Sequence, residues 1–259
     1  MNPLRVPLDK LRWSLHHRGV FGSVKAAATR LASRNQPEPA PQVHPFDKQH
    51  GVETSGLITA ANLRSGHRND LLGTGYSGIP PSRFRAVIDR WIATPLLAPI
   101  TTYSFIDIGC GKGRALMLAT AHPFAEIIGV ELHPGLASTA SANLEKWRIT
   151  HPSTPPTRIV TQDATEFPFP ETPCLVYLYN PFAEPILAAV IDQLDRSFAA
   201  RPRPLDVLLC NAATEKPLAE HRSFTKLWTA PIPVSPEDAA AEPYAASAEI
   251  CSLYRRTAG

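Results

Sequence analysis

The chain has 259 residues, 44% of them apolar and 19% charged, and a formal net charge of +3. That composition belongs to a soluble globular protein, and the length fits one α/β domain with additions better than two equal domains. It excludes a membrane-spanning helix, since no apolar run approaches the ~20 residues one needs, and the start lacks the continuous apolar core of a secretory signal.

Charge is unevenly placed. Residues 1–34 hold seven basic side chains (Arg5, Lys10, Arg12, Arg18, Lys25, Arg30, Arg34) against Asp9, a balance of +6, which leaves −3 for the remainder. Leu4, Leu8, Leu11 and Leu15 recur at helical spacing, so this arm is expected to hold a short amphipathic helix. A basic arm of this kind is suited to an acidic partner. A solvated helical extension is the favoured reading, and no nucleic-acid role is expected. Residues 35–45 form a Pro-rich linker, stiff and extended.

Residues 46–82 are a Gly- and Thr-rich approach segment ending in Tyr76-Ser-Gly-Ile-Pro-Pro-Ser82. Residues 83–94 read as a helix with Ser82 as N-cap and Phe84, Val87, Ile88 and Trp91 on one face. Arg83 and Arg85 read as surface charges on that helix, able to steer an acidic substrate. Beyond it, short apolar runs alternate with helical stretches. Strands are expected at 103–108, 127–131, 158–161, 175–179 and 206–210, and helices at 112–121, 134–148, 184–199 and 213–221. Such alternation predicts an α/β fold, a mostly parallel Rossmann-like sheet with helices on both faces. Runs at 225–230 and 249–255 would add edge strands, with a surface loop over 231–247 between them. Three divisions result: an arm and linker (1–45), an approach and leading helix (46–100), and a core (101–259).

The four cysteines (Cys110, Cys174, Cys210, Cys251) stand far apart, with no metal-type pairing such as C-x-x-C. Three lie in apolar strand-like runs, where a free thiol acts as a small hydrophobe. A reducing interior, the cytoplasm, is the expected address.

The segment Phe105-Ile-Asp-Ile-Gly-Cys-Gly-Lys-Gly113 carries the chemistry: a buried strand runs into three glycines and a helix follows at once. Glycines there admit unusual backbone angles and let a ligand approach without meeting a Cβ. A phosphate-cradling P-loop needs G-x-x-x-x-G-K-[ST], which Lys112-Gly113-Arg114 does not supply. The dinucleotide fingerprint G-x-G-x-x-G sets its third glycine three positions after the second, whereas Gly113 follows Gly111 by two.

The segment resembles the first motif, D-x-G-x-G-x-G, of class I S-adenosylmethionine-dependent methyltransferases, with Asp107, Gly109, Gly111 and Gly113 in place. Glu131, which ends the second strand 24 residues after Asp107, stands where a carboxylate accepts both ribose hydroxyls. In that family an acid after the third strand, here Asp163, hydrogen-bonds the adenine amino group, and Ala164 would donate its backbone N–H to the ring. The resemblance covers residues 76–211 and implies S-adenosylmethionine as cofactor.

After the fourth strand, Asn180-Pro181-Phe182 resembles the [DNS]-P-P-[YFW] motif of amino-group methyltransferases with one proline missing. The shortened form is also similar to the disruptor-of-telomeric-silencing lysine methyltransferases. The resemblance implies that Asn180 holds a target amine beside the Phe182 ring, and that Tyr76 closes over the donor. The same residues also make a good strand-to-helix turn. Asp47, His50, Glu53 and Thr54 are expected near the entrance, as in a set of bacterial methyltransferase-like proteins with a similar approach segment. His50 has the pKa range of a general base, although a loop histidine is more often merely solvated. The expected activity is methyl transfer to an amine such as a protein lysine. The alternatives are an O- or small-molecule methyltransferase and a non-catalytic nucleotide-binding module.

Overall fold

The computed structural model describes residues 43–180, 182–243 and 245–257, all within one compact unit, Gln42–Gly259. The expected arm helix at Leu4 to Leu15 and nearly all of the Pro-rich linker lie outside the described residues.

Helix α1 (Pro45–His50) is followed by a two-residue antiparallel ladder, Leu57–Ile58 against Tyr76–Ser77. Helix α2 (Pro81–Ile92) leads into the main sheet. From there the chain runs through β1 (Ser104–Ile108), α3 (Arg114–Ala119), β2 (Glu126–Glu131), α4 (Pro134–Thr150), β3 (Thr157–Thr161) and β4 (Cys174–Tyr179). It continues through α5 (Glu184–Ala200), β5 (Leu205–Cys210), α6 (Lys216–Ala219), β6 (Phe224–Pro233), α7 (Pro236–Ala241) and β7 (Ala248–Arg256). The sheet order is β3-β2-β1-β4-β5-β7-β6, parallel from β3 to β5, with β7 antiparallel to both its neighbours. This is the expected Rossmann-like α/β fold.

Every residue of β1 and β5 is buried, as strands covered on both faces require. Alternation along β1 assigns the faces: Phe105 packs with Phe84, Trp91 and Tyr177, while Ile106 and Ile108 join Val176, Val190 and Leu194 on the other side.

Several local expectations are corrected. Pro81 opens α2, where the N–H it lacks has no helical partner to lose. Ser82 is thus inside the helix and not its cap; its N–H donates to Asp238 Oδ2 (2.7 Å). Arg83 is no surface charge. It is fully buried, donates to the carbonyls of Ile232 and Ala246, and stands 2.9 Å from Glu249 Oε1. The expected loop over 231–247 contains the end of β6 and all of α7. Ser235 caps that helix, and buried Asp238 and Glu242 fasten it to α2 and α3. The helix expected over 213–221 shrinks to Lys216–Ala219. Finally, Cys210 and Cys251 meet across β5 and β7, Cα atoms 4.1 Å apart, as a disulfide. They are not separate thiols: strand register joined two cysteines that are distant in sequence. Only Cys110 and Cys174 remain free. Among the described residues, no helix is long and apolar enough to cross a membrane.

Candidate active site

The strand order reverses between β1 and β4, which opens a crevice at the carboxyl ends of those strands. A cleft open to solvent lies there, lined by residues of the turn after β1, the end of β2 and the approach segment. Its floor is the turn after β1. Gly109, Gly111 and Gly113 all have left-handed backbones, with φ of 77°, 54° and 84°, which explains why each is glycine. The N–H groups of Gly109 and Cys110 donate to Val130 O (2.8 and 3.1 Å), pinning the turn to β2.

The carboxylate ending β2 is held by the same turn. Gly111 N–H donates to Glu131 Oε2 and His133 N–H to Oε1, each at 2.8 Å. Those bonds fix the carboxylate plane and leave lone pairs on both oxygens. Burial pushes the Glu131 carboxyl up, and the two backbone donors pull it back. Asp107 is buried beside it, and its carboxyl has no hydrogen-bond partner among the described residues. Burial, followed by the charge of Glu131, pushes Asp107 up to about 8.

Asp163 lies across the cleft. Its Oδ1 accepts from Thr165 N and Oγ1, capping the short turn Ala164–Glu166, and its Oδ2 accepts from Asn69 Nδ2 (2.8 Å). Asn69 begins a strap over the mouth. Four residues on, Gly73 bridges Phe182, Thr74 Oγ1 donates to Asn180 O (2.5 Å), and Ala183 N–H donates to Leu72 O.

The approach segment is stitched beneath. The Tyr76 hydroxyl donates to Thr54 O (2.6 Å), and Asp47 accepts from Thr54 and Ser55. Arg114 Nε donates to Thr54 Oγ1 (2.6 Å), and Lys112 Nζ reaches Glu53 Oε1 (2.9 Å). His50 is placed elsewhere. It packs against Trp147 and His151, with burial lowering its pKa, and it is not among the cleft-lining residues.

At the other end, Asn180 follows β4 with φ of 45°, a left-handed conformation open to asparagine. Its N–H donates to Cys210 O (3.0 Å), and its side-chain Oδ1 is buried with no partner among the described residues. Two tyrosines on the same strand face line the cleft. Tyr177 is the register partner of Asp107, and its buried hydroxyl is likewise unpartnered among the described residues; the Tyr179 hydroxyl donates to Glu249 (3.1 Å).

The cleft therefore brings together Tyr76, Asp107, Gly109, Gly111, Glu131, Asp163, Ala164 and Phe182; Gly113 and Asn180 flank it without lining it. Sequence reasoning missed Arg114, Tyr177, Tyr179, Asn69 and Thr74. Period-two alternation from the strand end could have found the tyrosines. Nothing local marks Asn69 or Thr74.

A family profile described as a methyltransferase domain matches residues 105–201, from β1 into the residue after α5. The chain carries a methyltransferase domain. It is an S-adenosylmethionine-dependent enzyme. The cleft suits that cofactor: a lone buried carboxyl at Asp107, an oriented carboxylate at Glu131, and glycines at 109 and 111 in its floor. No curated protein matches the sequence. Among solved structures, the methyltransferase is similar to a ribosomal protein L11 methylase from Lactobacillus delbrueckii subsp. bulgaricus (16% identity, 68% of this chain and 78% of that one, TM-score 0.44). It is also similar to an RNA methyltransferase from Salinibacter ruber in complex with S-adenosyl-L-homocysteine (17%, 67% and 92%, 0.42). A third is the methyltransferase domain of bacterial CtHen1 (15%, 69% and 98%, 0.47). Likenesses this distant carry no argument about the acceptor.

Proposed function

We propose that the enzyme methylates an amine nitrogen, with a protein lysine as the acceptor. The observation that carries this reading is the Asn180 side-chain oxygen, buried and without a partner among the described residues. An acceptor-only atom left unsatisfied in the interior is unfavourable by about 1–3 kcal/mol, and an incoming N–H group would relieve it. Phe182 lines the end of the cleft that Asn180 flanks, where an aromatic face suits cationic character on the nitrogen.

On this reading the cofactor supplies a methyl group on a sulfonium that is already a good leaving group. Glu131 accepts the ribose hydroxyls, Asp107 faces the amino-acid end, and the glycine turn allows close approach. Asp163 and Ala164 serve the adenine, and Tyr76 covers the donor. Asn180 aims the nitrogen lone pair, so the protein contributes mainly alignment.

Labelled-methyl transfer from S-adenosylmethionine into protein, nucleic-acid and small-molecule fractions of a lysate tests the acceptor class. Label recovered as methyllysine after hydrolysis of the protein fraction is the expected result; label confined to small molecules would overturn it. Asn180→Ala and Phe182→Ala should bind S-adenosylhomocysteine normally and lose turnover.

A further inference from the structure

Arg114 is the first residue of α3, directly after the glycine turn, yet its side chain is 1% exposed and lines the cleft. A guanidinium has five N–H donors. Nε is used by Thr54 Oγ1, and Nη1 by Ile79 O (3.1 Å) and Glu242 Oε1 (2.5 Å). Nη2 has no partner among the described residues. Two buried, charged donors are therefore unanswered beside the floor of the cleft. The backbone opposite is shaped around the group: a Cβ at Gly78 would stand 2.8 Å from the Arg114 Cζ. Asp107, a buried carboxyl without a hydrogen-bond partner among the described residues, lines the same cleft.

A carboxyl and a guanidinium, each with bonding capacity left over in one cleft, match the ammonium and carboxylate of a zwitterion. We propose that Arg114, through Nη2, holds the α-carboxylate of the methyl donor, while Asp107 holds its α-ammonium. This rests on the reading of the cleft as the donor site, and it adds a residue that the sequence motif does not contain. The geometry suits the task. Thr54, Ile79 and Glu242 fix the guanidinium, so little rotamer entropy remains to be lost on binding. The two free N–H groups of one nitrogen leave the fork able to take carboxylate oxygens.

Calorimetry on the full chain with three defined ligands tests this without any acceptor. S-adenosylhomocysteine carries both charges, its decarboxylated analogue keeps only the ammonium, and methylthioadenosine has neither. Wild type should favour S-adenosylhomocysteine over the decarboxylated analogue by about tenfold to a hundredfold, the range of charge-assisted hydrogen bonds. Arg114→Met should abolish that preference while binding methylthioadenosine within about twofold of wild type. Glu242→Gln, which removes a support and leaves Nη2 intact, should keep most of the preference. Equal wild-type affinity for S-adenosylhomocysteine and its decarboxylated analogue would overturn the proposal even if Arg114→Met fails to fold. So would a parallel loss of all three ligands in Arg114→Met, which marks a purely structural role. If wild type binds none of the three, the donor-site reading itself falls.

Discussion

The Tyr76 ring lies against Gly111 so closely that a Cβ added at Gly111 would stand 2.4 Å from the ring's Cε2. The approach segment and the glycine turn thus share one surface, and the ring occupies space that only glycine leaves free. Gly111→Ala meets two obstacles, the ring and a φ of 54°. It should destabilise the protein by about 1–3 kcal/mol and weaken S-adenosylhomocysteine binding more than tenfold. Adding Tyr76→Ala should recover the steric part of the stability loss and not the backbone part. Urea unfolding of the two single variants and the double variant separates these contributions.

Asp107 gives a pH signature. Its folded pKa, about 8, lies above the ordinary 3.8, so the folded chain holds this proton more tightly than the unfolded chain. The stability it confers is complete below the ordinary value and is lost as pH rises towards 8. Asp107→Asn in the ligand-free protein should therefore melt higher than wild type at pH 8, on the order of 5 °C, with the gap closing towards pH 4. Ligand binding runs the other way. An ammonium group favours the ionised carboxyl, so S-adenosylhomocysteine should bind more tightly at pH 8.5 than at 6.5 and release protons on binding. Asp107→Asn should remove that dependence.

The Arg83–Glu249 pair is sealed between α2 and β7, with side chains 0% and 6% exposed. Removing one partner of a buried pair is typically unfavourable by about 3–5 kcal/mol, because the other charge is left without compensation. Arg83→Met should fall in that range by denaturant unfolding. Arg83→Met with Glu249→Gln should be less destabilised than the single variant, since the orphaned carboxylate is gone. Equal losses would place the energy in the Arg83 contacts to Ile232 and Ala246 instead.

The Cys210–Cys251 disulfide is checked by alkylating the denatured, unreduced chain and weighing it. Two thiols, Cys110 and Cys174, should react. After reduction all four should react, and the protein should lose stability, by about 4 kcal/mol if loop entropy dominates.

The frame of this fold was legible in the chain because strand and helix periods differ sharply. Cys174 to Tyr179 is an uninterrupted apolar run, and Phe105 to Ile108 is broken only by Asp107, a pattern suited to a sheet covered on both faces. That Gly109, Gly111, Glu131 and Asp163 meet in one cleft was legible too, since all sit at or just past strand ends, where register converges. Arg83 and Glu249 were not, because an arginine in a helix pattern looks solvated until its partner, 166 positions away, folds over it. The disulfide was hidden for the same reason, since its half-cystines meet only through the β5–β7 register. Arg114 sat in plain sight after Gly113, but five donors and their partners become countable only in three dimensions.

The strap from Asn69 to Thr74 has one more consequence. It touches Asp163 at one end and Asn180, Phe182 and Ala183 at the other, so the two ends of the cleft share a single wall six residues long. A ligand that shifts the strap at the Asp163 end and a second one held at the Asn180 end are then expected to be coupled through it. Reciprocity then requires the second occupant to change the first one's affinity by the same factor.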